Sequence, residues 1–250
     1  MTRTVESLSV FLEESFKFLP DGPLNNSTSC ESRVCITTSS KPCESTHLFA
    51  QSLISLIPNS TYHPWKARQS MKEFTTFYSK EGFSHLIVVF ENQKKIRYLS
   101  IGFLSLGTPI FLTFRISNIL LSKKIHNHAR ATESFPELIL NNFESQGGRK
   151  LGRMLSSLYP SKPDFLGRQA VTFHNQRDFM FVRRHRYIFN EEGSRVSIQE
   201  IGPRFTLKLY YISNSLSFND CLWSYHSLKK EVKKLNKQSH HSMDNKVRVL

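Results

Sequence analysis

This chain echoes itself, and the repetition limits its architecture more than any other trait. Val34-Cys-Ile-Thr, followed by a stretch ending Ser52-Leu-Ile-Ser-Leu-Ile-Pro58, resembles Leu138-Ile-Leu-Asn followed by a stretch ending Arg153-Met-Leu-Ser-Ser-Leu-Tyr-Pro160. Val89-Phe-Glu-Asn-Gln-Lys94 resembles Thr172-Phe-His-Asn-Gln-Arg177, and Gly107-Thr-Pro-Ile-Phe-Leu-Thr-Phe114 resembles Gly202-Pro-Arg-Phe-Thr-Leu-Lys-Leu209. The three echoes keep their order at offsets of 102 (Pro58 to Pro160), 83 and 95 residues. Self-similarity of this kind means one structural unit built twice.

The unit itself is legible from periodicity. Leu48, Phe49, Ser52, Leu53 and Leu56 recur by threes and fours until Pro58, the pattern of a helix with a stop signal. Met71, Phe74, Thr75 and Tyr78 predict a second helix over 69–81, and no counterpart to it follows in the second half. His85-Leu-Ile-Val-Val-Phe90 is the continuous apolar run of a strand covered on both faces, with further strands expected at 96–104 and 110–117. The fold class is therefore α/β, with two pseudo-repeated α/β halves in one domain over 33–225. The first half spans 33–117 and the second 136–225. An exposed linker between them, 118–135, is marked by Lys123, Lys124, His126 and His128. Residues 1–32 read as a poorly ordered acidic segment with a Pro-Asp-Gly-Pro turn at 20–23, and 226–250 as a basic tail.

Tyr98 to Phe114 is a run of 17 uncharged residues between Arg97 and Arg115. That touches the lower limit of roughly 17–25 for a spanning helix. Gly102, Gly107 and Pro109 inside it instead predict a turn between two buried strands, so no membrane is expected. Glu6, Glu13 and Glu14 interrupt any apolar leader, so no secretory signal is expected either.

Charge points to the partner. The chain carries 34 Lys and Arg against 20 Asp and Glu, a net of +14. An excess of that size attracts polyanions, whereas an acidic small-molecule substrate needs only a few local cations. Between 147 and 187, nine Lys and Arg (among them Arg149, Arg153, Arg168 and Arg177) face two Asp, a net of +7. The tail adds seven cations against two acids. The positive surface belongs to the second half.

Within it, Phe179-Met-Phe-Val-Arg-Arg-His-Arg-Tyr-Ile-Phe189 carries the densest pattern. On a strand Arg183, His185 and Tyr187 point one way and Arg184, Arg186 and Ile188 the other. Arg interleaved with aromatic rings suits phosphate contact together with base stacking. The alternative is an exposed strand whose arginines pair with Glu191, Glu192 and Glu200. After Gly202-Pro203, Phe205, Leu207 and Leu209 alternate with Arg204, Thr206 and Lys208, giving an apolar inner face and a basic outer one. Gly147-Gly-Arg-Lys-Leu-Gly152 leads into a helix and offers backbone N–H groups to an anion, but fits neither the P-loop nor the dinucleotide-binding pattern.

Motifs of catalysis are missing: no Gly-x-Ser-x-Gly, no His-Glu-x-x-His and no acidic pair for two-metal chemistry. The four cysteines form no Cys-x-x-Cys pair, and Cys43 with His47 is half of a zinc site at most. No catalytic residue, metal or cofactor is expected.

Four segments carry a specific resemblance: Pro136-Glu-Leu-Ile-Leu-Asn-Asn-Phe143, Gly167-Arg-Gln-Ala-Val-Thr-Phe-His-Asn-Gln-Arg-Asp-Phe179, Arg184-His-Arg-Tyr-Ile-Phe189 and Gln199-Glu-Ile-Gly-Pro-Arg-Phe-Thr-Leu-Lys-Leu209. They resemble the Brix domain family, and Val34-Cys-Ile-Thr-Thr-Ser, Ile57-Pro-Asn-Ser60 and Phe83-Ser-His-Leu-Ile-Val-Val89 fit it as well. The likeness covers about 33–211. It implies two halves akin to an anticodon-binding domain. It also implies a non-catalytic nucleolar factor that binds precursor rRNA of the large ribosomal subunit beside other assembly factors, a Mak16-type protein among them. The family's RNA-binding segment, similar to a bacterial sigma-factor motif, falls here on Arg177 through Lys208. The RNA-binding candidates are thus Arg149, Arg153, Arg168, Arg177, Arg183, Arg184, Arg186, Tyr187, Arg204 and Lys208. Where the family has a Pro-Asp/Asn-Gly-Pro turn and a His-Phe-Lys-Leu strand, this chain has Ser105-Leu-Gly-Thr-Pro-Ile-Phe-Leu-Thr-Phe114. Two other readings remain at this point: an interaction module that grips an acidic protein with its basic half, and a hydrolase or RNA-modifying enzyme.

Overall fold

β-branched and aromatic runs cut by turn residues give, among the described residues, eleven strands and three helices. The computed structural model describes residues 19, 32–39, 41–65, 70–106, 108–190, 193–216 and 220–225, without the side chains of Met71 and Lys72. The expected basic tail and most of the acidic N-terminal segment lie outside these.

The first half is β1 (Val34–Thr38), α1 (Glu44–Leu56), β2 (Ser60–Tyr62), α2 (Met71–Lys80), β3 (His85–Asn92), β4 (Lys95–Phe103) and β5 (Ile110–Leu120). The second is β6 (Glu137–Asn141), α3 (Gln146–Ser156), β7 (Gln169–Gln176), β8 (Phe179–Phe189), β9 (Val196–Glu200), β10 (Arg204–Ser213) and β11 (Cys221–Ser224). All strands join one sheet in the order β2-β1-β3-β4-β5-β10-β8-β7-β6, with β9 on β8 and β11 on β10. β1 pairs β3 parallel and β3, β4 and β5 follow antiparallel, just as β6 pairs β7 parallel and β7, β8 and β10 follow antiparallel. The echo in the sequence is thus a repeated β-α-β-β-β unit. Its two copies meet where β5 pairs antiparallel with β10, Leu207 opposite Ile116 and Lys208 opposite Arg115.

The long uncharged run divides into β4 and β5, Tyr98 opposite Arg115 and Phe103 opposite Ile110. Among the described residues no helix is long and apolar enough to cross a membrane. Gly102 is part of that packing: a Cβ built there would stand 2.3 Å from the Phe111 ring.

The helices distribute unequally over the two faces. Phe49, Leu53 and Leu56 of α1 and Leu151, Met154 and Leu155 of α3 bury together on one face, against strands from both halves. α1 reaches across the joint, with Phe49 edge-on to Phe205 at 5.4 Å, and β3 reaches back, His85 Nε2 lying 2.9 Å from Ser157 Oγ just after α3. Leu48 points to solvent, so the apolar stripe of α1 is narrower than its sequence spacing suggests. On the other face, among the described residues, a helix covers the first half alone: Phe74 and Tyr78 of α2 close over Cys35, Leu86, Val88 and Phe111. The α2 N-terminus is fixed by a capping box between Ser70 and Glu73.

Three expectations change. Leu19, within the segment expected to be poorly ordered, is 1% exposed in the core, and its carbonyl accepts a hydrogen bond from the buried Lys150 ammonium at 3.3 Å. Gly147–Gly152 does not precede a helix but lies within α3, capped by Ser145, so its backbone N–H groups are not presented as an anion loop. β5 extends to Leu120, and Ile125 and Ala129 of the linker are buried, although Lys123, Lys124, His126 and His128 are exposed as expected.

Candidate nucleic-acid interface

Strand alternation decides where each basic side chain goes. Phe205 sits opposite Val182 and Leu207 opposite Met180, and all four belong to the helix-covered core. Thr206 opposite Phe181 and Lys208 opposite Phe179 therefore line the other face, with Arg183, His185 and Tyr187 farther along β8 and Arg204 on β10. β5 adds Arg115 and Ser117 to this face and β4 adds Tyr98, while β7 and β6 add Thr172, His174 and Ile139. Among the described residues no helix packs over this part of the sheet, because α2 has no counterpart in the second half.

The result is a basic and aromatic floor. The Lys208 ammonium lies 4.4 Å from the Phe179 ring centroid and 4.5 Å from that of Tyr225. Phe179 is 39% exposed and so presents ring surface to solvent. The Arg183 guanidinium lies 5.9 Å from the Phe181 ring and donates to the carbonyls of Val182 at 2.9 Å and Phe205 at 3.4 Å. Partial burial lowers its pKa, an effect opposed by Glu200 and reinforced by Arg204. Tyr98 and Tyr210 stack tilted at 5.2 Å beside Arg115. The Glu200 carboxylate enters the cluster, 3.5 Å from Arg204 Nε. Burial lowers the His185 pKa although Glu200 opposes this, so the ring is neutral at physiological pH. The Tyr187 hydroxyl donates to Glu137, which pushes its pKa up to about 12 and fixes the ring at the margin of the floor.

Of the sequence candidates, Arg183, Tyr187, Arg204 and Lys208 share this face. Arg177, with φ +51°, occupies the β7–β8 turn at one end, and Arg168, with φ +46°, the turn before β7 at the other. Arg149 and Arg153 lie on the exposed side of α3, across the sheet, and Arg186 has the opposite strand parity to Arg183. Arg184 is removed from the set: it is 2% exposed, and its guanidinium donates to Ser55 O at the end of α1 and to Gln169 Oε1 at 2.7 Å. A guanidinium locked between a helix C-terminus and a buried amide has no geometry for phosphate. The ten candidates therefore do not form one face. Missed from sequence were Phe179, Phe181, Arg115, Tyr98 and Tyr210. The first two were signalled by parity with Arg183 and Tyr210 by parity with Lys208 on β10, whereas Arg115 and Tyr98 depend on the pairing of β5 with β10. No cluster of three or more metal-ligating side chains exists among the described residues.

A mixed sheet made of two β-α-β-β-β copies, joined edge to edge and, among the described residues, without a helix on one side of the second copy, defines the class: a pseudo-repeated α/β domain with a basic sheet face. The chain belongs to the Brix domain family, whose model matches residues 39–211. It is 34% identical over 241 residues to Ribosome production factor 1 of Saccharomyces cerevisiae, covering 94% of this chain and 80% of that one. It is 42% identical over 178 residues to Ribosome production factor 1 of Pongo abelii, covering 71% of this chain but only 50% of that protein. The chain thus spans about half the length of its animal relatives. Among solved structures, a probable ribosomal biogenesis protein from Aeropyrum pernix K1 superposes with a TM-score of 0.53 at 16% identity, over 71% of this chain and 96% of that one, which shows the shared fold.

Proposed function

We propose that this protein is a non-catalytic RNA-binding factor in ribosome biogenesis, acting in the nucleolus on precursor rRNA of the large subunit. The open face of the second half is the binding surface. Relatives named for ribosome production support the process, and the face supports the mode. Arg115, Arg183, Arg204 and Lys208 supply the phosphate contacts that dominate affinity. Phe179, Phe181, Tyr98 and Tyr210 offer rings on which unpaired bases stack, as sheet faces in other RNA-binding folds do. The observation that carries the reading is the interleaving of these cations and rings on one uncovered surface. Binding holds RNA in place beside other assembly factors, such as a Mak16-type protein, with no reaction at the site.

The test is the salt dependence of binding to a single-stranded oligouridine. The Arg183→Ala/Arg204→Ala/Lys208→Ala variant should bind more weakly, its log–log salt slope reduced by up to ~0.7 for each phosphate it no longer neutralises. Wild-type affinity and slope in that variant would overturn the proposal.

A further inference from the structure

We propose that the outer edge of β9 takes up an extended segment of another protein as an added strand of the sheet. β8 is long enough to pair twice: β10 lies beside it from Phe179 to Val182 and β9 from His185 to Phe189. The hairpin of β8 and β9 therefore runs past the ends of β7 and β10.

The ladder fixes which way the β9 backbone points. Ile201 N donates to Arg184 O at 2.8 Å and Asn190 N to Arg195 O at 3.0 Å. In an antiparallel pair, residues bonded in this way alternate with residues whose N–H and C=O face away. With His185 opposite Glu200, it is Arg195, Ser197 and Gln199 that turn toward β8, and Val196, Ile198 and Glu200 that turn outward. Ala129 N takes the outward Glu200 carbonyl at 2.8 Å and closes the edge there. Among the described residues, no backbone group pairs with Val196 or Ile198 on that side.

The side chains suit a strand as occupant. Tyr187 opposite Ile198 and Phe189 opposite Val196 share one face, and Phe189, Val196 and Ile198 are 49%, 47% and 67% exposed. Edge strands are ordinarily guarded by Lys, Pro or a bulge, and Val196–Glu200 carries none of these.

Area and charge select the kind of partner. The three side chains leave roughly 300 Å² of apolar surface bare, the size of an interaction patch but far below the ~800 Å² that each partner buries in a standard interface. That suits a short segment rather than a second folded copy. A copy also fails on register: pairing Val196 with the copy's Ile198 sets the copy's Ser194 against Glu200, where Ala129 already bonds. Each chain moreover carries +14, which repels its like. Arg195 and Arg130, both exposed, stand near the two ends of the open edge. The segment therefore has apolar residues at alternate positions with acidic residues flanking them. The edge lies at the other end of β8 from Phe179 and Lys208, so it leaves that part of the floor free for RNA.

The test uses the full chain and a capped synthetic peptide, Glu-Val-Thr-Val-Thr-Val-Glu, with amide hydrogen exchange read residue by residue by NMR. Saturating peptide should slow exchange at Val196 and Ile198 by at least about tenfold, while Ser197 and Gln199, already bonded to β8, change little. The same peptide N-methylated at its valines cannot pair and should have no effect. Ile198→Pro removes an outward N–H without touching the β8 ladder, and should lower peptide affinity at least about tenfold with oligouridine affinity unchanged. Ile198→Lys, which keeps the backbone intact, should weaken the peptide as well. Unchanged exchange at Val196 and Ile198, equal protection by the methylated peptide, or protection that rises with protein concentration alone would overturn the proposal, the last in favour of a second copy. Protection by oligouridine and not by the peptide would also overturn it and extend the RNA surface over the hairpin. Loss of RNA in the Arg183 variant bears on the floor alone, so the two readings stand or fall separately.

Discussion

Arg183 and Arg184 are neighbours in sequence with opposite fates, and replacing each by alanine separates them. Arg184 joins the halves: it donates to the Ser55 carbonyl in the last turn of α1, which has no basic residue of its own there, and to Gln169, whose amide donates to Thr132 O in the linker. Hydrogen bonds to charged groups contribute about 1.5–3 kcal/mol each, and a cation at a helix C-terminus adds roughly 0.3–2 kcal/mol. The desolvation cost of burying the guanidinium offsets part of that total. Arg184→Ala also strands the buried Gln169 Oε1 acceptor and empties the space of a side chain 2% exposed, so a loss of about 3–4 kcal/mol is expected. At roughly 2–4 °C per kcal/mol for a domain of this size, Tm falls by about 6–16 °C. Urea unfolding at pH 7 measures the loss directly. Arg183→Ala, on the open face, should shift Tm by less than about 2 °C yet weaken RNA binding. Equal stability losses in the two variants, or an Arg184→Ala protein of unchanged Tm with weaker RNA binding, would refute the strand parity on which the interface rests.

Three further outcomes follow from the same geometry. Phe179→Ala/Phe181→Ala should cost single-stranded RNA binding about 1–3 kcal/mol per base unstacked, with the salt slope unchanged, measured by fluorescence anisotropy across salt. His85 is buried against Ser157 and held neutral, its pKa pushed down to about 4 by burial. The unfolded chain binds a proton there near pH 6.5, so this contribution is complete above that pH and is lost as pH falls towards 4. Its size is of order 3 kcal/mol, and urea midpoints of His85→Gln should lack that part of the pH dependence. Gly102→Ala drives a Cβ into the Phe111 ring between β4 and β5 and should cost about 1–3 kcal/mol, seen as a lower Tm without change in RNA affinity per folded molecule.

The repeat was legible because each copy must bury the same strands, so Val34-Cys-Ile-Thr and Leu138-Ile-Leu-Asn carry related apolar patterns. The alternation of Arg183 and Arg184 was legible too, since strand parity is local. Which parity faces solvent was not. That depends on α1 delivering the Ser55 carbonyl to β8 from 129 residues away, a contact with no local signature. The same holds for Arg115 and Tyr98, which reach the floor only because β5 pairs with β10. Arg149 and Arg153 illustrate the converse: clustering in sequence put them near Arg183, but the sheet stands between. Composition located the charge in the second half, and tertiary pairing chose the side.

Whether RNA lies on the open sheet face can be read from cross-links. Ultraviolet irradiation of the full chain bound to precursor rRNA, followed by mass spectrometry of the peptide–nucleotide adducts, reads which side chains touch bases. Adducts on Phe179, Phe181, Tyr98 or Tyr210 are the predicted result. Adducts confined to α3, around Arg149 and Arg153, would contradict it.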